Sequence, residues 1–139
     1  MHTISDSDLP STDEVVTLYS SVGWTTYAND PSSLAIALSG SSYVVTARSS
    51  DNMLSGLART ISDDASICYI QDILVNPGAQ RSGVGRAMVE RILERYRHVR
   101  QIALLTDDEE SQRRFYESLS FIEARDFSPN SLRAFIKIG

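Results

Sequence analysis

The clearest change of pattern along the chain lies between residues 72 and 97. A short apolar run, Ile73 to Val75, ends at Asn76-Pro77-Gly78, as expected for a buried strand followed by a turn. From Val84 onward the apolar residues recur at helical spacing, with charged residues between them. The pattern therefore predicts a strand, a glycine-containing connection and then a helix from Val84 to Arg97.

The same kind of reasoning predicts the other elements. Ser11-Thr12-Asp13-Glu14 matches a capping box and Asp30-Pro31 is a polar cap before proline, so two helices should start there and end near Ser20 and Gly40. Three strand-like runs separated by polar turns predict an antiparallel meander: Tyr43 to Arg48, Met53 to Ile61, and Ala65 to Val75. The remaining expected elements are a strand Gln101 to Leu105, a helix from Asp107 or Asp108, and two strands, Phe121 to Phe127 and Ser131 to Ile138. The predicted order is ααβββαβαββ, an α/β fold with a mixed, mostly antiparallel sheet and helices on both faces.

Composition narrows the class of protein. A length of 139 residues suits a single domain, 1–139, with a proper core. No apolar stretch approaches the roughly 18 residues that span a membrane, and the N-terminus lacks the basic and apolar segments of a secretory signal. The net charge of -5 argues against a nucleic-acid binder, which needs a basic face. We therefore expect neither a membrane nor a nucleic acid as partner.

The few metal-binding and thiol side chains are scattered. The single Cys68 excludes an internal disulfide and is consistent with a reducing cytoplasm. His2 and His98 are far apart in the sequence, so no spacing typical of metal ligands exists and we predict no metal. A covalent acyl-cysteine mechanism would need an activating base near Cys68, and the sequence offers none.

The connection before the predicted helix, Gln80-Arg81-Ser82-Gly83-Val84-Gly85, has three interpretations besides a plain glycine-rich link. A P-loop would require a lysine, which is absent here. A dinucleotide-binding turn would require a third glycine where Met88 stands, and a tighter connection from the strand. The third interpretation is a loop whose main-chain amides, with the helix N-terminus, hold a pyrophosphate, while Arg81 and Arg86 add positive charge.

Two motifs resemble the GNAT superfamily of N-acetyltransferases. Val75-Asn76-Pro77 followed by Gln80-Arg81-Ser82-Gly83-Val84-Gly85-Arg86-Ala87 is similar to its core motif, V-x-P…Q/R-x-x-G-x-G/A. Gln112-Arg113-Arg114-Phe115-Tyr116-Glu117-Ser118-Leu119-Ser120-Phe121 is similar to its A-x-x-F-Y-x-x-x-G-F helix. The resemblance covers the element order from about Ser11 to the C-terminus. It implies the GNAT fold and direct transfer of an acetyl group from acetyl-CoA to a primary amine. Ser120 departs from the motif; if that position is left-handed, serine would cost roughly 1–2 kcal/mol.

The resemblance also implies roles for residues of the site. Tyr116 would be the general acid, and its position one residue past Phe115 places it at the edge of the core-facing side; the alternative is a packing tyrosine. Asp72 would be the base, acting through water, or else a structural hydrogen-bond acceptor, since an aspartate in an apolar strand is costly unless paired or functional. Leu74 is counted with them because this strand would offer main-chain groups to the thioester oxygen. The full set implied to bind the cofactor is Ile73, Leu74, Val75, Gln80, Arg81, Ser82, Gly83, Val84, Gly85, Arg86 and Tyr116.

The acceptor side is expected near the loop between the first two helices. Trp24 and Tyr27 in that loop, with Tyr69 and Gln71 on the strand, would line it, although both loop aromatics could simply cap the core. Segments such as Ser42-Tyr43-Val44-Val45-Thr46-Ala47 and Gly56-Leu57-Ala58-Arg59-Thr60 look similar to plant-type serotonin N-acetyltransferases, which suggests a small cationic arylalkylamine as acceptor.

Other functions stay open at this point. The chain could acetylate a protein N-terminus or a lysine, or it could be a CoA-binding module without turnover that acts as a sensor or partner domain. It could also be an unrelated α/β domain with a chance motif. Members of the family are often dimers, and the two predicted C-terminal strands could pair across subunits in a homodimer.

Overall fold

The computed structural model describes residues 1–139 and contains five strands and five α-helices. Their bounds are β1 His2–Ser5, α1 Thr12–Ser21, α2 Thr25–Ala28, α3 Pro31–Ser39, β2 Tyr43–Ser49, β3 Leu54–Ser62, β4 Ile67–Val75, α4 Val84–Arg95, β5 Gln101–Leu104 and α5 Glu110–Glu117. The predicted helix starts are confirmed. Ser11 and Glu14 form the capping box of α1, and the Asp30 side chain accepts a hydrogen bond from the Ser33 N–H at the start of α3.

The five strands form one sheet in the order β1-β2-β3-β4-β5. All neighbours are antiparallel except β4 and β5, which are parallel. Leu57 on β3 and Leu74 on β4 belong to a buried cluster with Leu18 of α1. The residue before Leu57, Gly56, faces the opposite side of the sheet, where a Cβ atom would lie only 3.1 Å from Met88 of α4. Helices therefore cover both faces, and the predicted fold class is confirmed.

The chain divides into two compact units, Met1–Leu104 and Leu105–Gly139. The first unit contains the whole sheet with α1 to α4, and the second contains α5 and a short 3-10 turn at Ala124–Asp126. The sequence predicts a single domain, 1–139, and whether the two units act as that one domain stays a prediction. None of the helices has the length and apolar character needed to cross a bilayer.

The predicted element order was wrong at both ends. β1, which pairs with β2 from His2 opposite Ser49 to Ser5 opposite Thr46, was not predicted, and α2 lies where a loop was expected. The two C-terminal strands do not form: residues 121–127 contain only the 3-10 turn, and residues 131–139 have no regular structure. Alternating apolar and polar residues give an extended segment one apolar face. A strand also needs a neighbouring strand to hydrogen-bond with its main chain, and the alternation does not identify that neighbour.

Ser120, where the motif would have glycine, is left-handed, with φ of 70°. The Phe121 N–H donates to the Tyr116 carbonyl at 3.1 Å and the Ser120 N–H donates to the Glu117 carbonyl at 3.0 Å. These two bonds are those of a Schellman motif, which normally ends on glycine because a Cβ atom is strained in this conformation.

We expect Ser120→Gly to raise the free energy of unfolding by about 1 kcal/mol, because glycine removes that strain. Urea denaturation followed by circular dichroism measures the change. Ser118→Gly is the matched control: Ser118 has φ of -65° at the same helix end, so glycine there should stabilise nothing. Equal effects of the two substitutions would show that the backbone conformation of Ser120 carries no strain.

Candidate active site

The segment that follows β4 and ends with the first two residues of α4, residues 80–85, is called the glycine loop below. Its start is fixed by local hydrogen bonds. The Asn76 side chain accepts a bond from the Gly78 N–H at 2.9 Å, which caps a 3-10 turn at Pro77–Ala79. The Gln80 side-chain amide donates to the Val75 carbonyl at 3.1 Å, so the loop is tied back to the end of β4.

The glycine loop leads into a helix start that no side chain caps. Gly83 is the N-cap residue of α4, with φ of 84°, and it provides no capping group. No heavy atom lies within 4 Å of the position that a Cβ of Gly83 would occupy. The first N–H groups of a helix have no intrahelical acceptor, and the Ala87 N–H is the one that bonds back to the Gly83 carbonyl, at 3.0 Å. The space beside Gly83 and the positive end of the α4 dipole together suit an anion.

Two arginines lie close in the sequence to this helix start. Arg81 is exposed and has a positive φ of 64°. Arg86 is also exposed and forms an ion pair with Glu90 one turn further along α4, at 2.9 Å. Both side chains add positive charge around the uncapped amides of the helix.

The end of β4 that leads into the glycine loop has a free edge. β5 pairs only with Ile67–Ile70 of β4, since its last residue, Leu104, lies opposite Ile70. Residues 71–75 therefore have β3 on one side and no strand on the other. An extended chain or ligand can hydrogen-bond to such an edge in the manner of an added strand.

The register shows which main-chain groups face this free edge. The Asn76 N–H donates to the Ser55 carbonyl of β3 at 2.8 Å, so the main chain of Asn76 faces β3. In an antiparallel pair, every second residue directs its N–H and C=O groups toward the neighbouring strand. The same alternation directs the N–H and C=O groups of Leu74 toward β3, while those of Ile73 and Val75 point away from it. The side chain of Leu74 is buried in the core. Leu74 was included among the catalytic residues because its main chain was expected to reach the thioester oxygen. That assignment is corrected, because Ile73 and Val75, and not Leu74, present their amides at the free edge.

A β-bulge in β4 determines which way its polar residues face. Arg59 of β3 lies opposite Asp72, whereas the next residue, Thr60, lies opposite Ile70. Gln71 is therefore an extra residue, which changes the facing of the strand at this point. The Gln71 side-chain amide donates to the Tyr27 hydroxyl at 3.4 Å.

Three of the residues predicted for the acceptor side lie together. The rings of Trp24 and Tyr27 are 6.4 Å apart, and both also contact the ring of the fully buried Tyr19, at 5.8 and 5.4 Å. Tyr27 in turn accepts the hydrogen bond from Gln71. Tyr69 is half-buried two residues before the bulge; burial raises its pKa, with smaller contributions from the charges of Asp72 and Tyr27. The structure thus places an aromatic surface with a few polar groups beside β4.

Asp72 is the centre of a buried polar network. Its Oδ2 atom accepts a hydrogen bond from the Tyr19 hydroxyl at 2.9 Å and from the Arg59 Nε at 2.6 Å. The side chain of Asp72 is 3% exposed and that of Arg59 is 7% exposed. Burial, and then the negative charge of Asp72, raise the pKa of Tyr19, so its hydroxyl stays a donor. Asp72 is therefore a structural acceptor, one of the two roles expected for it; whether it also acts as a base stays a prediction.

Sequence reasoning missed the partners of Asp72. Arg59, like Asp72, is a charged residue in an otherwise apolar strand. Because the two strands were expected to pair, their opposite charges could have indicated an ion pair. Nothing in the local sequence marked Tyr19, which is 53 residues away along the chain.

Tyr116, in the second unit, is held among aromatic rings. Its ring packs edge-on against Phe115 at 4.9 Å and Phe121 at 5.6 Å between centroids. The residue is half-buried, and burial raises the pKa of its hydroxyl to about 12. The hydroxyl is therefore protonated throughout the neutral range and available as a proton donor.

Cys68 is buried and its thiol pKa is raised by that burial to about 11. Since the thiolate is the nucleophilic form, this environment disfavours an acyl-cysteine intermediate. The structure thus supports the expectation that Cys68 is a packing residue.

Comparison with known proteins agrees with this geometry. The chain has 28% sequence identity with a GNAT family acetyltransferase from Streptococcus pneumoniae, with a TM-score of 0.82 over 99% of this chain and 100% of that one. It is 37% identical over 70 residues to histone acetyltransferase TAP1 of Glycine max, covering 49% of this chain and 29% of that protein. It is 27% identical over 116 residues to the N-acetyltransferase ycf52 of Pyropia yezoensis, covering 81% of this chain and 66% of that protein.

The chain spans only 29% of the length of TAP1 and 27% of the length of a second Glycine max relative, probable acetyltransferase TAP2, so the activities of these whole proteins are not assigned to it. The family assignment has a broader basis, because the sequence model of the acetyltransferase (GNAT) family matches residues 9–121. That match includes both motifs, the free edge of β4 and the uncapped start of α4. This chain belongs to the GNAT family of acetyltransferases.

Proposed function

We propose that the protein transfers the acetyl group of acetyl-CoA directly to the primary amine of a small molecule, within a ternary complex and with Tyr116 as general acid. The observation that carries the proposal is the uncapped, open N-terminus of α4, joined by the glycine loop to the free edge of β4. A helix start with unsatisfied amides and an edge with unpaired main-chain groups fit a diphosphate attached to an extended amide-bearing arm.

The residues that would hold the diphosphate are those of the glycine loop and the first turn of α4. Gly83 lets the phosphates approach the main chain because no side chain fills the space beside it. The charges of Arg81 and Arg86 lie at the rim, where they favour an anion. The amides of Ile73 and Val75 would bond to the extended arm at the free edge of β4.

When bound, acetyl-CoA supplies an activated acetyl thioester. The free edge of β4 would orient its carbonyl, and the Ile73 N–H would donate a hydrogen bond to the oxygen on which negative charge develops. The Tyr116 hydroxyl would give its proton to the departing thiolate sulfur. A primary amine with an ordinary pKa near 10 must lose a proton before or during attack, and Asp72 is the proposed acceptor of that proton through water.

For the acceptor, we propose a small cationic arylalkylamine. The aromatic surface of Trp24 and Tyr27 supports this choice, because ring faces attract both an aryl group and a cation. Gln71 and Tyr69 add polar groups on the strand beside it.

The proposed location of the protein is the cytoplasm.

Two other functions deserve a direct comparison. The soybean relative is named a histone acetyltransferase, which favours a protein amine as the alternative acceptor. A CoA-binding module without turnover is the other alternative. A panel of arylalkylamines, polyamines and lysine peptides, assayed for release of the free CoA thiol, separates the three. The proposal expects turnover with an arylalkylamine; a preference for peptides, or binding without thiol release, would replace it.

The glycine loop can be tested by binding alone. We expect Gly83→Ala to weaken acetyl-CoA binding at least about tenfold in a calorimetric titration, because a Cβ atom at φ of 84° is strained and enters the space proposed for the phosphates. Gly23→Ala is the matched control, since Gly23 has φ of 79° and equally open surroundings but lies between α1 and α2. Equal acetyl-CoA affinity of the two variants would contradict the proposed phosphate site.

A further inference from the structure

Gly56 of β3 lies where β4 ends and α4 begins. In the sheet it is paired with Val75, the last residue of β4. A Cβ atom on Gly56 would lie 3.1 Å from Cγ1 of Val84, the first residue of α4, and 3.1 Å from Cε of Met88, one turn further along the helix. Gly56 therefore adjoins both the end of the strand and the start of the helix.

The helix start has no room for a side chain at this position. A separation of 3.1 Å is shorter than the usual contact of about 3.5–4.0 Å between carbon atoms, so a Cβ atom would displace a neighbour. Met88 has three rotatable bonds, and its terminal methyl can turn aside. Val84 is branched at its own Cβ and has essentially one rotamer in a helix. Its methyl group can therefore yield only if the backbone at the start of α4 moves.

The need for glycine is confined to residue 56. Its partner on β2, Ala47, and the residue two positions further along β3, Ala58, are both fully buried, and each carries a Cβ atom. Glycine weakens a strand, and inside one it often marks a place where another part of the chain approaches closely. In β3 that close approach is made by Val84 at the start of α4.

We infer that Gly56 is a positioning residue for the acetyl-CoA site, because the absence of its side chain sets how closely the start of α4 approaches the end of β4. This inference rests on the proposed function. In that function, the diphosphate bonds to the first amides of α4, and the extended arm bonds to the amides of Ile73 and Val75. Gly56 pairs with one of these segments and packs against the other. A side chain there would change the spacing between the two sets of amides without touching the coenzyme.

Calorimetric titration with acetyl-CoA tests this role. Gly56→Ala should weaken binding about three- to tenfold, and Gly56→Val at least about thirtyfold, because the larger side chain displaces the helix start further. Gly40→Ala is the matched control. A Cβ atom on Gly40 would also make a close contact, at 3.3 Å from the Ile36 carbonyl oxygen, but Gly40 lies at the end of α3. The control should bind acetyl-CoA as tightly as the wild type does.

A second substitution separates positioning from a general loss of stability. Val84→Ala removes the methyl groups that a side chain on residue 56 would meet. The double variant Gly56→Ala/Val84→Ala should therefore bind acetyl-CoA at least about threefold more tightly than Gly56→Ala alone. If Gly56→Ala acted only by lowering stability, truncating a second buried side chain would weaken binding further.

The protein without acetyl-CoA provides an independent readout. Backbone residual dipolar couplings should show the axis of α4 turned relative to β4 in Gly56→Val and unchanged in Gly40→Ala. An unmoved helix, wild-type affinity of Gly56→Val, or no gain of affinity in the double variant would each overturn the positioning role and leave the proposed function intact. A wild-type protein that does not bind acetyl-CoA would overturn the proposed function and this inference together.

Discussion

Tyr116→Phe is expected to lower kcat for acetyl transfer by at least about a hundredfold and to leave the affinity for acetyl-CoA close to that of the wild type. The substitution removes only the hydroxyl, and the ring keeps its packing against Phe115 and Phe121. Without the hydroxyl, the departing thiolate has lost its proposed proton donor. Single-turnover measurements with a good amine acceptor isolate the chemical step.

The pH dependence gives a second test of this role. The acid must be protonated to act, and burial holds the pKa of Tyr116 at about 12, so it stays fully protonated well above neutral pH. The rate should therefore rise as the amine loses its proton and should show no alkaline decrease from Tyr116 below about pH 10.

A matched control is available in the first unit. The hydroxyl of Tyr43 donates to Asp6 at 2.9 Å, and burial likewise raises its pKa to about 12. Tyr43→Phe should leave kcat unchanged. If Tyr116→Phe behaved like Tyr43→Phe while chemistry limits the rate, Tyr116 would not be the acid.

The parts of the fold that were predictable depend on neighbours in the sequence. The capping box at Ser11, the Asp30 cap before Pro31 and the helical spacing from Val84 all act within a few residues, and each marked a real element. The two expected C-terminal strands failed because alternation describes a face and does not identify a partner strand. The same limit hid β1, whose four residues become a strand by pairing with β2.

In the candidate site, too, features set by neighbouring residues were predictable and features set by distant contacts were not. A compact motif located the glycine loop, and the structure adds its uncapped helix start. Whether the amide of Leu74 or those of its neighbours face the free edge depends on which residues of β4 hydrogen-bond to β3. The sequence of β4 alone does not contain that information. The bulge at Gln71 and the contact of Asp72 with Tyr19 likewise depend on how distant segments meet.

The largest effect on stability is expected at Asp72. Asp72→Asn keeps the shape of the side chain but removes its charge, which leaves the guanidinium of Arg59 buried without a counter-charge. We expect the free energy of unfolding to fall by about 3–5 kcal/mol, the usual cost of breaking a buried ion pair. Tyr19→Phe removes only a hydroxyl bonded to the carboxylate and should cost about 1.5–3 kcal/mol. Chemical denaturation of both variants measures the difference, and a smaller loss for Asp72→Asn would contradict the role of the ion pair.

Loss of stability would obscure the role of Asp72 in catalysis, so the whole network must be replaced. Exchanging all three members for apolar residues, in Tyr19→Phe/Arg59→Met/Asp72→Leu, leaves no buried charge without a partner and should recover much of the stability lost in Asp72→Asn. If Asp72 is the base, this stable variant should be at least about a hundredfold slower in acetyl transfer than Tyr19→Phe alone. If the carboxylate only anchors Arg59 and Tyr19, the two variants should differ by less than about tenfold, and the proton would have to leave the amine by another path. The geometry around Asp72 Oδ2, where both neighbours already donate, makes this comparison the decisive one for the base.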